Sequence, residues 1–204
     1  MSFPPEGLSR DAFLGGRLRL WQPLQGYRAA IDPVLLAAFV PARPGQRVLE
    51  LGCGGGTAVL CLARRVPGLE LHGVEIQPDY AELARRNAAE NGLALRVHVG
   101  DVLDLPAGLR LGFDQVLANP PFHAAAAPPA RDAGRDATRV LVRARKSSRA
   151  PLRLHPPLRL HAGSSHAADG VDYTVEAETI LRDMAELLPD ARAGGRNDSS
   201  PTNA

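Results

Sequence analysis

The sequence predicts an α/β fold built on a mostly parallel, doubly wound sheet, and three observations predict it. A buried-strand pattern at residues 47–51, RVLEL, breaks into Gly52-Cys53-Gly54-Gly55-Gly56, and a helical pattern opens at Thr57. Apolar strand runs then alternate with helical runs at the spacing of crossover units. The four strand ends carry Gly52 to Gly56, Glu75, Asp101 and Asn119, and the carboxyl edge of a parallel sheet is where ligands bind.

Taken in order, residues 1–11 read as a loose arm without the apolar run of a signal peptide. Leu18, Leu20 and Trp21 follow Gly15-Gly16 in an alternating run, a short strand or hairpin. Asp32 reads as the N-cap and Pro33 as the first residue of a helix through Val40. The first sheet strand is 47–51 and its helix runs from about Gly56 to Arg65, stopped by Pro67-Gly68. The second strand spans 69–74 and ends at Glu75; a helix follows over 78–90, with Asn91-Gly92 as its stop. The third strand, 93–99, ends at Gly100-Asp101, and the fourth, 113–118, ends at Asn119-Pro120-Pro121-Phe122. A last helix is expected over 174–188, and the polar residues after it are expected to be disordered. The implied organisation is an arm at 1–25, a cofactor-binding core at 26–137, basic final strands with a C-terminal helix at 138–188, and a tail at 189–204.

Composition narrows the function classes. A net charge of +2 is too small to argue nucleic-acid binding by itself. Its distribution says more: Arg139, Arg143, Arg145, Lys146, Arg149, Arg153 and Arg159 fall in a stretch without Asp or Glu between Asp136 and Asp169. Such a ribbon suits a phosphate backbone, or is a solvated strand face. Cys53 and Cys61 have no zinc-ligand spacing, and the scattered histidines are weak metal candidates, so no metal is expected. Two cysteines without a disulfide framework fit a reducing, cytoplasmic setting. No run reaches membrane-span length, so no membrane partner is expected.

The glycine turn brings bare backbone to a ligand, and the helix after it aims N–H groups at the same place. Glu50 followed by Leu51-Gly52-Cys53-Gly54-Gly55-Gly56 resembles the first motif of S-adenosylmethionine-dependent methyltransferases. A dehydrogenase is disfavoured because Thr57 stands where the dinucleotide fingerprint wants its last glycine. Glu75 lies 23 residues past Gly52, where a ribose-binding acid should lie. The resemblance implies a Rossmann-like class I methyltransferase fold. It further implies that Gly52, Cys53, Gly54 and Gly56 hold the amino-acid part of S-adenosyl-L-methionine, with Asp101 and Val102 at its adenine.

Asn119-Pro120-Pro121-Phe122 resembles the N-P-P-[FY] motif of methyltransferases that modify planar nitrogens. Such a nitrogen is a poor nucleophile because its lone pair is delocalised. The Asn119 side-chain oxygen and Pro120 carbonyl can accept its two N–H bonds and free that pair, and Phe122 can stack on the flat target. Asn119 therefore stands in both the catalytic and the cofactor-side sets. With the segment 26–37, GYRAAIDPVLLA, the chain is similar to the bacterial tRNA adenine-N6 methyltransferases that act beside the anticodon of a valine tRNA. This resemblance implies tRNA as partner and adenine as target. The same motif serves a protein glutamine amide, and a truncated domain that binds cofactor or RNA without turnover is a third reading.

One segment departs from that family. Its members carry two further strand–helix units after the motif, which take roughly 50–60 residues at ordinary lengths. Here only sixteen residues, 122–137, precede the final-strand pattern at Val140. The fifth and sixth strand units are therefore expected to be missing, which leaves activity open and exposes a sheet edge to which a second copy could pair.

Overall fold

Residues 48 and 49 set the centre of the sheet, because Val48 and Leu49 point to opposite faces and both are buried. A strand apolar on both sides needs cover on both sides. The computed structural model, which describes residues 3–120, 141, 158–161 and 173–187, supplies it. In chain order the elements are β1 (Leu8–Phe13), β2 (Leu18–Pro23), α1 (Asp32–Phe39), β3 (Arg47–Leu51) and α2 (Thr57–Arg65). They continue with β4 (Glu70–Glu75), α3 (Pro78–Glu90), β5 (Leu95–Val99), β6 (Gln115–Ala118) and α4 (Val175–Asp183).

The main sheet has the order β5-β4-β3-β6 with every pair parallel. The register sets Glu50 opposite Gly73 and Leu117, and Leu51 opposite Val74 and Ala118. All four carboxyl ends therefore lie along one edge. Val48, Leu71 and Leu117 turn to the face covered by Val59, Leu60 and Leu62 of α2, the largest part of the core. Leu49 and Val74 turn to the other face, where Leu105, Leu109 and Phe113 of the β5–β6 connection cover them. Among the described residues β6 is one edge of this sheet, and its Val116 is 58% exposed.

Several boundaries match the sequence expectations and others do not; the third and fourth sheet strands each begin two residues later than expected. The second-strand helix runs over Pro78–Glu90 as expected, with Pro in its first turn and Asn91 at its end. Residues 1–11 are not all a loose arm: Leu8–Phe13 is a strand paired antiparallel with β2, Leu8 opposite Pro23 and Phe13 opposite Leu18. Leu18 and Leu20 are fully buried, and the hairpin docks on α3 through side-chain bonds its own sequence does not reveal. Asp32 is not the N-cap of α1; Ile31 is, in helical conformation, and Asp32 opens the helix as a first-turn acid. There its charge still faces the positive end of the dipole. The last helix is shorter than expected. Thr174 caps it by accepting the Ala177 N–H at 3.2 Å, and Met184 ends it in the left-handed region.

That helix closes the other side of α1. Ala177 and Ile180 are buried, Ile180 packs with Leu35 and Ala38, and the Leu187 N–H donates to the Ala38 carbonyl at 2.9 Å. Leu158 and Leu160 join the same cluster, and His161 forms an isolated antiparallel bridge with Tyr173. The expected loss of two strand units falls on residues 122–137. It lies outside the described residues, as do most of the basic ribbon and the expected tail at 189–204.

Candidate active site

The turn after β3 reverses the chain over three left-handed glycines, Gly52, Gly54 and Gly56. A side chain would strain each of them. Its geometry is fixed from below. The Cys53 N–H donates to the Val74 carbonyl at 2.9 Å, and the Gly56 N–H to the Cys53 carbonyl at 2.8 Å. The Cys53 thiol points down into the sheet, where it sits 2.7 Å from the position a Cβ on Gly73 would take. Burial pushes that thiol's pKa well up, so it is not a nucleophile. Cys53 thus serves the site with its backbone.

Two carboxylates organise the turn. Glu75, at the end of β4 and 6% exposed, accepts the Gly54 N–H on Oε2 at 2.8 Å and the Gln77 N–H on Oε1 at 2.9 Å. Each oxygen keeps a second lone pair, so the same carboxylate can also accept from a diol. Glu50 is 2% exposed and accepts the Val59 N–H of α2 at 3.0 Å. Burial drives its pKa up to about 8, against the Val59 hydrogen bond that lowers it and with the Glu75 charge that raises it further.

Above the turn lies a small hollow open to solvent. Tyr27, Pro33 and Glu50 line it, with the Gly52–Gly55 backbone, the start of α2 and Asn119. The strand ends of β3 and β6 therefore meet in one space. Asn119 is half-buried and its Nδ2 donates to the Tyr27 hydroxyl at 3.3 Å. The Tyr27 phenol has a raised pKa, from burial first and then from the Glu50 and Asp32 carboxylates.

The residues expected from sequence separate into groups. Gly52, Cys53, Gly54 and Asn119 share the hollow, and Glu75 stands behind it, bonded to Gly54. Gly56 does not face it. Its missing side chain would meet Ala84, Leu60 and Leu95, so Gly56 serves close packing against α3 and the start of α2. Asp101 and Val102 lie beyond the hollow on the exposed loop after β5, where Asp101 Oδ1 accepts the Leu103 N–H at 2.9 Å. Pro120 follows Asn119 at the surface, and Phe122 lies outside the described residues.

Two contributors escape sequence reading, whereas Glu50 is visible there as the acid before the glycine motif but without its bond to the Val59 N–H. Tyr27 reaches the hollow from a loop held by α3. Asn87, 1% exposed, ties the turn to the hairpin: its Nδ2 donates to the Gly55 carbonyl at 2.9 Å and the Trp21 carbonyl at 3.1 Å, and its Oδ1 accepts the Trp21 N–H at 2.7 Å. A polar residue inside an Ala-rich helix face, Asn87-Ala88-Ala89, is the only signal it leaves in the sequence.

This arrangement fits S-adenosylmethionine. A Cβ on Gly52 would meet nothing within 4 Å, so bare backbone borders open space where a ligand can approach. An acid with spare lone pairs adjoins it. Among the described residues no group of three or more His, Cys, Asp or Glu could hold a metal ion, and no helix is long and apolar enough to cross a membrane.

Comparison with known proteins agrees with this reading. Residues 48–144 match the family model described as a methyltransferase domain. A tRNA1(Val) (adenine(37)-N6)-methyltransferase of Yersinia enterocolitica is 37% identical over 115 residues, covering 55% of this chain and 45% of that protein. The same enzyme of Yersinia pestis is 35% identical, covering 55% of this chain and 46% of that protein. The chain thus spans about half the length of the curated relatives it matches. Among solved structures, TrmN from Thermus thermophilus is 32% identical, covers 48% of this chain and 30% of its own, and has a TM-score of 0.42. Residues 48–144 thus match a methyltransferase domain, and the sheet order and glycine turn fit a Rossmann-like class I methyltransferase fold with S-adenosylmethionine as its methyl donor.

Proposed function

We propose that this chain methylates the exocyclic amine of an adenine in tRNA. The observation that carries the reading is that Asn119 lines the same hollow as Glu50 and the Gly52–Gly55 backbone. Asn119 and the glycine turn thus border a common space. The names of the Yersinia relatives supply the substrate class, tRNA adenine at N6.

Bound at the turn, S-adenosylmethionine would supply an electrophilic methyl group on a sulfonium, whose C–S bond would break to leave a neutral thioether. The chain's own residues prepare the nucleophile. Asn119 Oδ1 and the Pro120 carbonyl accept the two N–H bonds of the target amine. Those bonds pull electron density away from the ring and pyramidalise the nitrogen. They also stabilise the positive charge that grows on nitrogen as it reacts. The surplus proton then leaves to solvent, so no strong base is needed before transfer. Holding the amine in line supplies much of the remaining rate. Phe122 is assigned to stacking on the base, and Asp101 with Val102 to the cofactor's adenine.

The test is methyl transfer from labelled S-adenosylmethionine to unmodified tRNA, with a protein extract as the competing substrate. Recovery of N6-methyladenosine from digested tRNA is the expected result. Label in glutamine of the extract, with none in tRNA, would replace adenine by a protein amide.

A further inference from the structure

We infer that Tyr27 is a positioning residue for Asn119, holding the amide so that its oxygen, not its nitrogen, faces the substrate amine. The inference rests on the reaction proposed above and adds a residue to it.

The two ends of an asparagine amide have the same shape, and only their hydrogen-bond partners tell them apart. The wrong rotamer would turn an NH₂ group toward an amine that itself brings N–H donors. Donor would meet donor, and nothing would accept the amine's protons. Fixing the flip is therefore part of the chemistry. Among the described residues the bond that selects it is Asn119 Nδ2 to the Tyr27 hydroxyl, at 3.3 Å.

A phenol oxygen has lone pairs that can accept the Nδ2 N–H whichever way its own proton turns.

The ring is also anchored in a way a passive lining residue does not require. The Tyr80 hydroxyl accepts the Tyr27 N–H at 2.9 Å and donates to the Tyr27 carbonyl at 3.2 Å. Tyr80 is 9% exposed, so this clamp is buried, whereas Tyr27 is 51% exposed and lines the hollow. The residue before it is glycine for the same reason. Gly26 has φ +107°, and a Cβ there would come within 2.9 Å of the Tyr80 hydroxyl. Backbone clamp, free ring and amide contact together describe a fixed acceptor aimed at Asn119.

The experiment uses the full chain and Tyr27→Phe, which removes the hydroxyl and keeps the ring and the Tyr80 clamp. The Asn119 side-chain amide is followed by ¹⁵N NMR, assigned by its loss in Asn119→Ala. Tyr27→Phe is expected to move that amide pair to the position of a free asparagine, with thermal stability unchanged. In the transfer assay kcat falls about tenfold, while KM for S-adenosylmethionine stays within twofold. An Asn119 amide that does not move, or a kcat equal to wild type, overturns the inference. A shifted amide in a chain that methylates no tRNA upholds the Tyr27–Asn119 pair and sinks only the proposed reaction.

Discussion

The Glu75 carboxylate and the Gly54 N–H are 2.8 Å apart, which joins the end of β4 to the middle of the cofactor turn. The bond makes the ribose-binding candidate a structural support for the cradle as well. With both oxygens engaged by backbone N–H groups, Glu75 is pre-oriented before any ligand arrives.

Glu75→Ala therefore loses stability and binding together. Hydrogen bonds to a charged group are worth about 1.5–3 kcal/mol each, and this one residue holds two. Chemical denaturation should show a loss of at least about 2 kcal/mol, and calorimetry with S-adenosylmethionine a loss of affinity of at least tenfold. Glu75→Gln, which keeps an acceptor for Gly54, should recover most of the stability and little of the affinity.

Asn87 carries a separate load. Asn87→Leu removes three hydrogen bonds and leaves the Gly55 carbonyl and both Trp21 backbone groups without their partner. Buried groups left without partners cost about 1–3 kcal/mol each. The expected outcome is a large fall in melting temperature, with faster amide exchange at Trp21 and Gly56. Protection unchanged at Trp21 would show that the hairpin docks by other means.

Glu50 makes stability depend on pH in an unusual direction. Its ordinary value is 4.5 and its folded value is about 8. Between those limits the unfolded chain has released the proton and the folded chain still holds it. Stability from this residue is therefore full below about pH 4.5 and is lost as pH rises through 8. The slope approaches about 1.4 kcal/mol per pH unit. Glu50→Gln, which can still accept the Val59 N–H, should flatten the fall in denaturation midpoint between pH 5 and 8. Parallel curves for the two proteins would remove Glu50 as its source.

The sequence revealed what local chemistry alone determines. The glycine turn, the strand ends at Glu75 and Asn119 and the Pro78–Glu90 helix follow from backbone preference, proline and period. What it concealed depends on residues far apart in the chain. Leu8–Phe13 alternates only weakly, and it becomes a strand because β2 pairs with it and Asn87 holds β2 from 66 residues away. Asp32 has the residue type of a cap, yet the cap position falls one residue earlier, at Ile31, itself in helical conformation. Tyr27 is one tyrosine in a loop until Tyr80, 53 residues on, clamps its backbone beside the turn. Gly56 fits the cofactor motif by spacing, but its open side faces α3.

The central claim is that one hollow holds the methyl donor on its β3 side and the activating amide of Asn119 on its β6 side. Asn119→Ala separates the two functions most directly, measured by calorimetric titration of S-adenosylmethionine alongside labelled methyl transfer to tRNA. The account predicts affinity within about fivefold of wild type and a transfer rate down by about 10²–10³, the cost of losing a group that stabilises the transition state. No heat of binding in the wild-type chain, or equal loss of binding and transfer in the variant, would contradict it.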